Sequence, residues 1–137
     1  MLTKMNNSTK DWYDHIHKSP LTPPSNVFGI VWPILYTLML ISLVLLIMNR
    51  TRNTPLMTKC YVAFGLQLVF NILWPIIFFD KREIHWGLAD LILTDIFTIV
   101  TIYFFHKVYP ISAYLLIPYM LWISFATYLN LYIVIKN

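Results

Sequence analysis

Polar and aromatic side chains set at helical intervals inside long apolar runs are the residues of this chain most able to do chemistry. Phe28, Trp32, Tyr36 and Met39 recur three or four residues apart and so share one helix face. Phe64, Gln67, Asn71, Trp74 and Phe78 repeat that spacing with two amides among the rings, and Tyr119, Trp122, Ala126 and Asn130 repeat it again. Faces of this composition offer π surface to a flat apolar molecule, with amide and indole groups to orient its polar edge. The plainer reading of each is packing: rings fill a bundle core, Gln67 and Asn71 hydrogen-bond neighbouring helices, and Ala126 lets another backbone approach. Both readings turn the faces inward, because lipid offers an indole or amide no partner.

Asp90 and Asp95 are the acidic residues embedded in apolar sequence, where a carboxylate is costly enough to mark a cavity, a partner or a path. Asp90 follows the start of its run at Trp86 by about one helical turn, so nearness to water could account for it. Asp95 lies deeper. Five residues apart, the two fall on different faces, which argues against a carboxylate pair acting together. Thr94, Thr98 and Thr101 carry hydroxyls expected to bond back to their own helix. Leu129, Tyr132 and Lys136 match a loose sterol-contact pattern. His15, His17, His85 and His106 fall in tails, loops or run ends, and the His15/His17 pair has no evident third ligand, so no metal site is expected. Cys60 is the sole cysteine, which excludes an intrachain disulfide. There is no glycine-rich phosphate loop, nucleophile elbow or metalloprotease helix in the sequence.

The elements that must position these residues follow from composition. The 137 residues are 58% hydrophobic and 12% charged, too little polar surface for a soluble domain of this length. Four stretches, Val27 to Met48, Cys60 to Phe79, Trp86 to Phe105 and Ala113 to Ile135, each reach the roughly 20 residues a helix needs to cross a bilayer. None alternates at spacing two, so helices and not strands are predicted. The fold class is therefore all-α, a polytopic membrane bundle of four transmembrane helices: residues 1–26 form a polar N-terminal segment and loop, and 27–137 the transmembrane domain. Short connectors make neighbouring helices antiparallel, and Pro33, Pro75 and Pro118 should bend or loosen their spans.

In the N-terminal segment Trp12, Tyr13 and Ile16 suit a stretch at headgroup level, followed by an irregular loop, SPLTPPSN. No apolar run there is long enough for a signal-peptide core. Four crossings put both termini on one side, with Lys4, Lys10, Lys18, Lys81, Arg82 and Lys136 against Arg50, Arg52, Lys59 and Lys107 on the other. That imbalance favours cytoplasmic termini. The net charge of +4 is spread over loops and tails that meet headgroups, so no nucleic-acid partner is expected.

SAYLLIPYMLWISFATYLNLYI, residues 112 to 133, resembles the last-helix signature of the TspO/MBR family, above all in Pro118, Tyr119, Trp122 and FATYLN. TPPSNVFGIVWPILYTLM, LQLVFNILWPIIFF and HWGLAD are similar to earlier helices of that family, the last placing Asp90 at its usual acidic position, and DWYDHIHKSPLTPP is similar to the preceding loop. The resemblance implies a bundle, of five helices in most members and usually a homodimer, that binds tetrapyrroles, sterols or aromatic drug-like molecules in an interior pocket. It implies Trp32, Tyr36, Asn71, Trp74, Trp122 and Ala126 as pocket lining, to which Gln67 and Asp90 are added. It also implies a candidate activity, light-dependent porphyrin breakdown, associated in bacterial relatives with the tryptophans matching Trp32 and Trp122. Where the family's first helix would stand there is only the polar stretch Met1 to Lys10, and Leu21 replaces a tryptophan usual in the loop. One pocket wall is then expected to come from a dimer partner, another membrane protein or lipid.

The leading expectation is a membrane protein that binds a porphyrin or haem-type tetrapyrrole, or a sterol, for sensing, sequestration or transport, with no obligatory cofactor. The alternatives are a porphyrin-degrading enzyme acting through Trp32 and Trp122, and a pocket-less structural or regulatory membrane partner.

Overall fold

Each crossing buries a stripe whose members alternate three and four residues apart. The first carries Trp32, Leu35, Met39, Ser42 and Leu46, and the second Met57, Cys60, Phe64, Gln67, Asn71 and Trp74. The third carries Gly87, Leu91, Thr94, Thr98, Thr101 and Phe105, and the fourth Ser112, Leu116, Tyr119, Ile123, Ala126, Asn130 and Ile133. This spacing averages 3.5 residues, the period that keeps a seam facing its neighbours in a left-handed bundle. Away from the seams stand exposed apolar side chains such as Ile30, Leu40, Leu121 and Ile135, suited to acyl chains.

The computed structural model describes residues 25–136. They form α1 (Ser25–Met48), α2 (Thr54–Pro75) continued by a π-helical turn (Ile76–Asp80), α3 (Ile84–Val108), α4 (Pro110–Leu115) and α5 (Ile117–Lys136), with no strand among the described residues. Among the described residues, four stretches are long and apolar enough to cross a membrane: Gly29–Met48, Thr54–Phe79, Ile84–Val108 and Pro110–Lys136. The all-α, four-span architecture is as the sequence predicts. The expected headgroup-level cluster of Trp12, Tyr13 and Ile16, the His15/His17 pair, Leu21 and the prolines of the following loop lie outside the described residues.

The element ends differ from the hydropathy reading for local reasons. α2 starts at Thr54, not at Cys60, because the Asn53 side chain accepts a hydrogen bond from the Leu56 N–H at 3.1 Å and Pro55 fits the first turn. Its polar Thr58 and Lys59 hide that turn from a hydropathy window. The expected connector from His106 to Ser112 is largely helical: Tyr109 alone is extended, as a residue before proline prefers, and α4 starts at Pro110. The last crossing breaks at Leu116, which places Pro118 in the first turn of α5, where its missing N–H costs nothing. After Pro75 the helix widens into the π turn, closed by Lys81 N–H to Ile76 O at 3.0 Å. Arg82 then adopts a left-handed conformation, φ 56°, and the Glu83 N–H reaches back to Ile77 O at 3.0 Å, ending the helix as such caps do.

α2 packs most extensively on α3, and α3 next on α5. α1 lies mainly against α4 and α5, and its backbone approach to α2 is sparse. Ser42 and Ser112 bind α1 to α4 reciprocally, each hydroxyl donating to the other's backbone carbonyl, at 2.6 and 2.9 Å. α1 and α2 are joined instead by long side chains: the Tyr36 hydroxyl donates to Asn71 Oδ1, and Gln67 Nε2 lies 3.5 Å from Met39 Sδ.

Candidate functional site

On α1 the three-and-four spacing turns Trp32 inward, where it is 2% exposed, and sets Tyr36 one turn further on. Their rings are 5.9 Å apart, and the indole of Trp122 on α5 meets that of Trp32 edge-on at 6.4 Å. Such edge-to-face contact aligns the positive rim of one ring with the negative face of the other. Beneath the rings runs a polar chain across three helices. The Asn71 side chain accepts from Tyr36 and donates from Nδ2 to the Tyr119 hydroxyl at 2.9 Å, while that hydroxyl donates to Gln67 Oε1 at 2.8 Å. Gln67 and Asn71 lie one turn apart on α2, so both amides address the same tyrosine on α5. The glue reading of the amides is thus realised, and its effect is to hold the Tyr36 and Tyr119 rings in place. Trp32 Nε1, though buried, has no hydrogen-bond partner among the described residues. A buried donor left open costs about 1–3 kcal/mol, and so marks a place where an acceptor would be welcome.

Trp74 and Ala126, expected to share this site, sit elsewhere. Trp74 stacks on Phe78 at 5.0 Å and donates from Nε1 to Asn130 Oδ1 at 3.0 Å, while Asn130 Nδ2 donates to Ile84 O at 2.9 Å. Ala126, Leu129 and Ile133 close the group around a cavity of about 20 Å³, room for one water at most. Gly87 permits α3 to approach closely here: a Cβ at that position would come 3.2 Å from Asn130 Oδ1 and 3.3 Å from Phe78 Cδ2.

Asp90 is in neither group. It lines a groove of about 400 Å³ between α2 and α3, together with Leu73, Ile77, Lys81, Trp86 and Leu93. Asp95, half-buried, accepts from the Thr127 hydroxyl at 2.5 Å on Oδ2. The two carboxyls have different surroundings, in line with their five-residue spacing. Thr94, Thr98 and Thr101 each donate to the carbonyl four residues back. Of the sterol-pattern residues, Leu129 faces inward with Trp74, Tyr132 is half-buried, and Lys136 is exposed with its ammonium 5.9 Å from the Tyr132 ring. No group of three metal-ligating side chains occurs among the described residues.

Two residues that organise these groups are missing from the sequence-predicted site. Tyr119 is the hub of the polar chain and Asn130 the partner of Trp74. Both lie on the predicted face of the last crossing, and the available signal was their polarity within an apolar stripe.

A model of the TspO/MBR family matches residues 1–135 of the chain. The chain is 34% identical to the tryptophan-rich protein TspO of Bacillus cereus, over 88% of its own length and 77% of that protein. It is 37% identical to the translocator protein of Homo sapiens over 87% and 70% of the two lengths. With the tryptophan-rich sensory protein of Cereibacter sphaeroides the identity is 32%, over 88% and 73%.

Proposed function

The chain belongs to the TspO/MBR family of membrane proteins, and we propose that within it this protein binds a flat apolar ligand of the porphyrin or haem-type tetrapyrrole class against Trp32, Tyr36 and Trp122. One observation carries the reading: the open Trp32 indole N–H stands beside two aromatic rings, in a wall braced by the Gln67–Asn71–Tyr119 chain. Ring stacking supplies affinity to any planar conjugated molecule, and the indole donor suits a carboxylate or carbonyl at its edge. Gln67 and Asn71, already bonded to the tyrosines, act on the ligand by holding those rings and not by touching it. Trp74, Ala126 and Asp90 drop out of the binding set in this reading, and a sterol is the weaker ligand because Leu129 of its expected contact motif is turned inward.

Quenching of tryptophan fluorescence by protoporphyrin titrated into the detergent-solubilised protein tests the proposal. Saturable quenching is expected, and Trp32→Phe, which keeps a ring and removes the donor, should raise the dissociation constant about tenfold. Unchanged affinity in that variant would move the site elsewhere.

The 6.4 Å indole pair supports a second reading, in which Trp32 and Trp122 take part in porphyrin photobreakdown. Illumination with bound protoporphyrin separates the two: Soret absorbance lost at the same rate after both tryptophans become phenylalanine would defeat the enzymatic reading. The charge asymmetry supports cytoplasmic termini, since Arg50, Arg52, Lys59 and Lys107 on one side are outnumbered by the cations of the other. The exposed apolar face of the bundle suits either lipid or the second copy of a homodimer, which chemical cross-linking in native membranes would distinguish.

A further inference from the structure

The seam between α2 and α3 carries a second outer groove, of about 270 Å³, at the end of the bundle away from Asp90. α2 lines it with Lys59, Val62 and Leu66, and α3 with Phe97, Val100 and Phe104, each set at helical spacing. The α3 stripe continues one turn outward to Lys107, three residues past Phe104, so both walls end in a lysine. Aromatic rings seat the two ammoniums. Lys59 Nζ lies 5.8 Å from the Phe104 ring centre, and Lys107 Nζ lies 4.6 Å from that of Tyr103, which meets Phe104 edge-on at 5.4 Å. No acidic residue among the described ones lies at this end: Asp80 and Glu83 belong to the opposite connector, Asp90 and Asp95 lie within α3, and the nearby connector adds Arg50 and Arg52.

Depth and charge together narrow the occupant. Phe97 bounds the inner end of the groove, stacked on Phe70 at 5.6 Å, and Phe70 is eleven residues, about 16 Å of helix rise, from Lys59. Half of a hydrocarbon core is about 15 Å, so the groove runs the acyl depth of one leaflet and stops at the midplane. Its rim, at headgroup level, holds the two lysines and the Thr58 hydroxyl. A headgroup of net negative charge suits the lysines, and an ester carbonyl suits the hydroxyl. A second copy related by a two-fold axis through this face would instead set Lys59 and Lys107 against their own counterparts, like charge against like.

We propose that this groove is a site for one anionic diacyl glycerophospholipid, with its phosphate between Lys59 and Lys107 and one acyl chain along the apolar walls as far as Phe97. The lysines select by headgroup charge, and the walls accept an acyl chain of any kind. The site is independent of the porphyrin proposal, sharing no residue with Trp32, Tyr36 or Trp122.

Native mass spectrometry of the full chain in detergent tests it with phosphatidylglycerol and phosphatidylcholine carrying the same acyl chains. The protein should retain one phosphatidylglycerol over phosphatidylcholine by about tenfold. Lys59→Gln and Lys107→Gln together should level the two lipids, whereas Arg50→Gln with Arg52→Gln, the same loss of charge beside the groove, should keep the preference. Val62→Trp, at a groove position 54% exposed, fills the space and should cut retention of phosphatidylglycerol severalfold. All five positions are exposed, so these variants keep the fold. Equal retention of both lipids by the unaltered protein would overturn the proposal, and so would a preference that survives the two lysine exchanges. A preference lost equally with the arginine pair would reduce the effect to diffuse surface charge, and retention unaffected by Val62→Trp would put the lipid outside the groove; either is a disproof. A lipid-free dimer broken by Val62→Trp would give the face to a second copy and overturn it too.

Discussion

Two aromatic groups share the interior of this bundle, and their indoles are treated differently. Around Trp74 every polar atom named is matched: the indole N–H has Asn130, the Asn130 amide has the Ile84 carbonyl, and the space left among the rings amounts to about 20 Å³. Around Trp32 the tyrosines and amides are matched with one another while the indole N–H is left open. The first arrangement has finished its chemistry within the protein. The second has an aromatic wall tied together by hydrogen bonds and one donor to spare, and it is on this difference that the proposed ligand site rests.

Substitutions that uncouple stability from porphyrin quenching test that contrast. The largest effect is expected from Asn71→Leu, which strands the Tyr36 hydroxyl and takes from the Tyr119 hydroxyl its amide donor, leaving it only Gln67: about 2 kcal/mol lost in detergent unfolding, with quenching weakened as well. Asn130→Leu strands the Trp74 N–H and should cost about 1.5 kcal/mol, yet leave quenching by protoporphyrin unchanged. If it weakened binding as much as Asn71→Leu, the two groups would be one site. Gly87→Ala pushes a methyl towards Phe78 and Asn130 and should lower stability by about 1 kcal/mol, again without effect on quenching. Leu121→Ala, on a residue 67% exposed, should change neither measurement, with any stability difference under about 0.5 kcal/mol.

How far the sequence foretells this arrangement depends on the kind of signal. Membrane crossings are legible because long uncharged runs have few other uses, and the inward faces because rings and amides such as Phe64, Gln67, Asn71, Trp74 and Phe78 keep helical spacing; all five are buried. The division of that single stripe into two groups is not legible. Asn71 and Trp74 are neighbours on α2, and only the residues opposite, Tyr119 for one and Asn130 for the other, decide which group each joins. Asp90 illustrates the same gap: its depth is readable from its distance to the run's start, but its place on an outer groove depends on how α2 and α3 pack. The early start of α2 was readable in principle, since Asn53 followed by Thr54 and Pro55 is a helix-start pattern that a hydropathy window ignores.

The sparse backbone packing between α1 and α2 has a kinetic consequence. Meshed backbones must slide apart together, whereas across this seam the hydrogen-bonded pairs, Tyr36–Asn71 and Gln67–Met39, and the apolar cluster around them join long side chains, which can part by rotation about single bonds. For the ligand proposed above, this seam would be a sideways path from the acyl chains that never crosses water. By that route its arrival rate would follow its concentration in the bilayer, so two compounds with equal affinity and unequal partitioning are expected to load at different speeds.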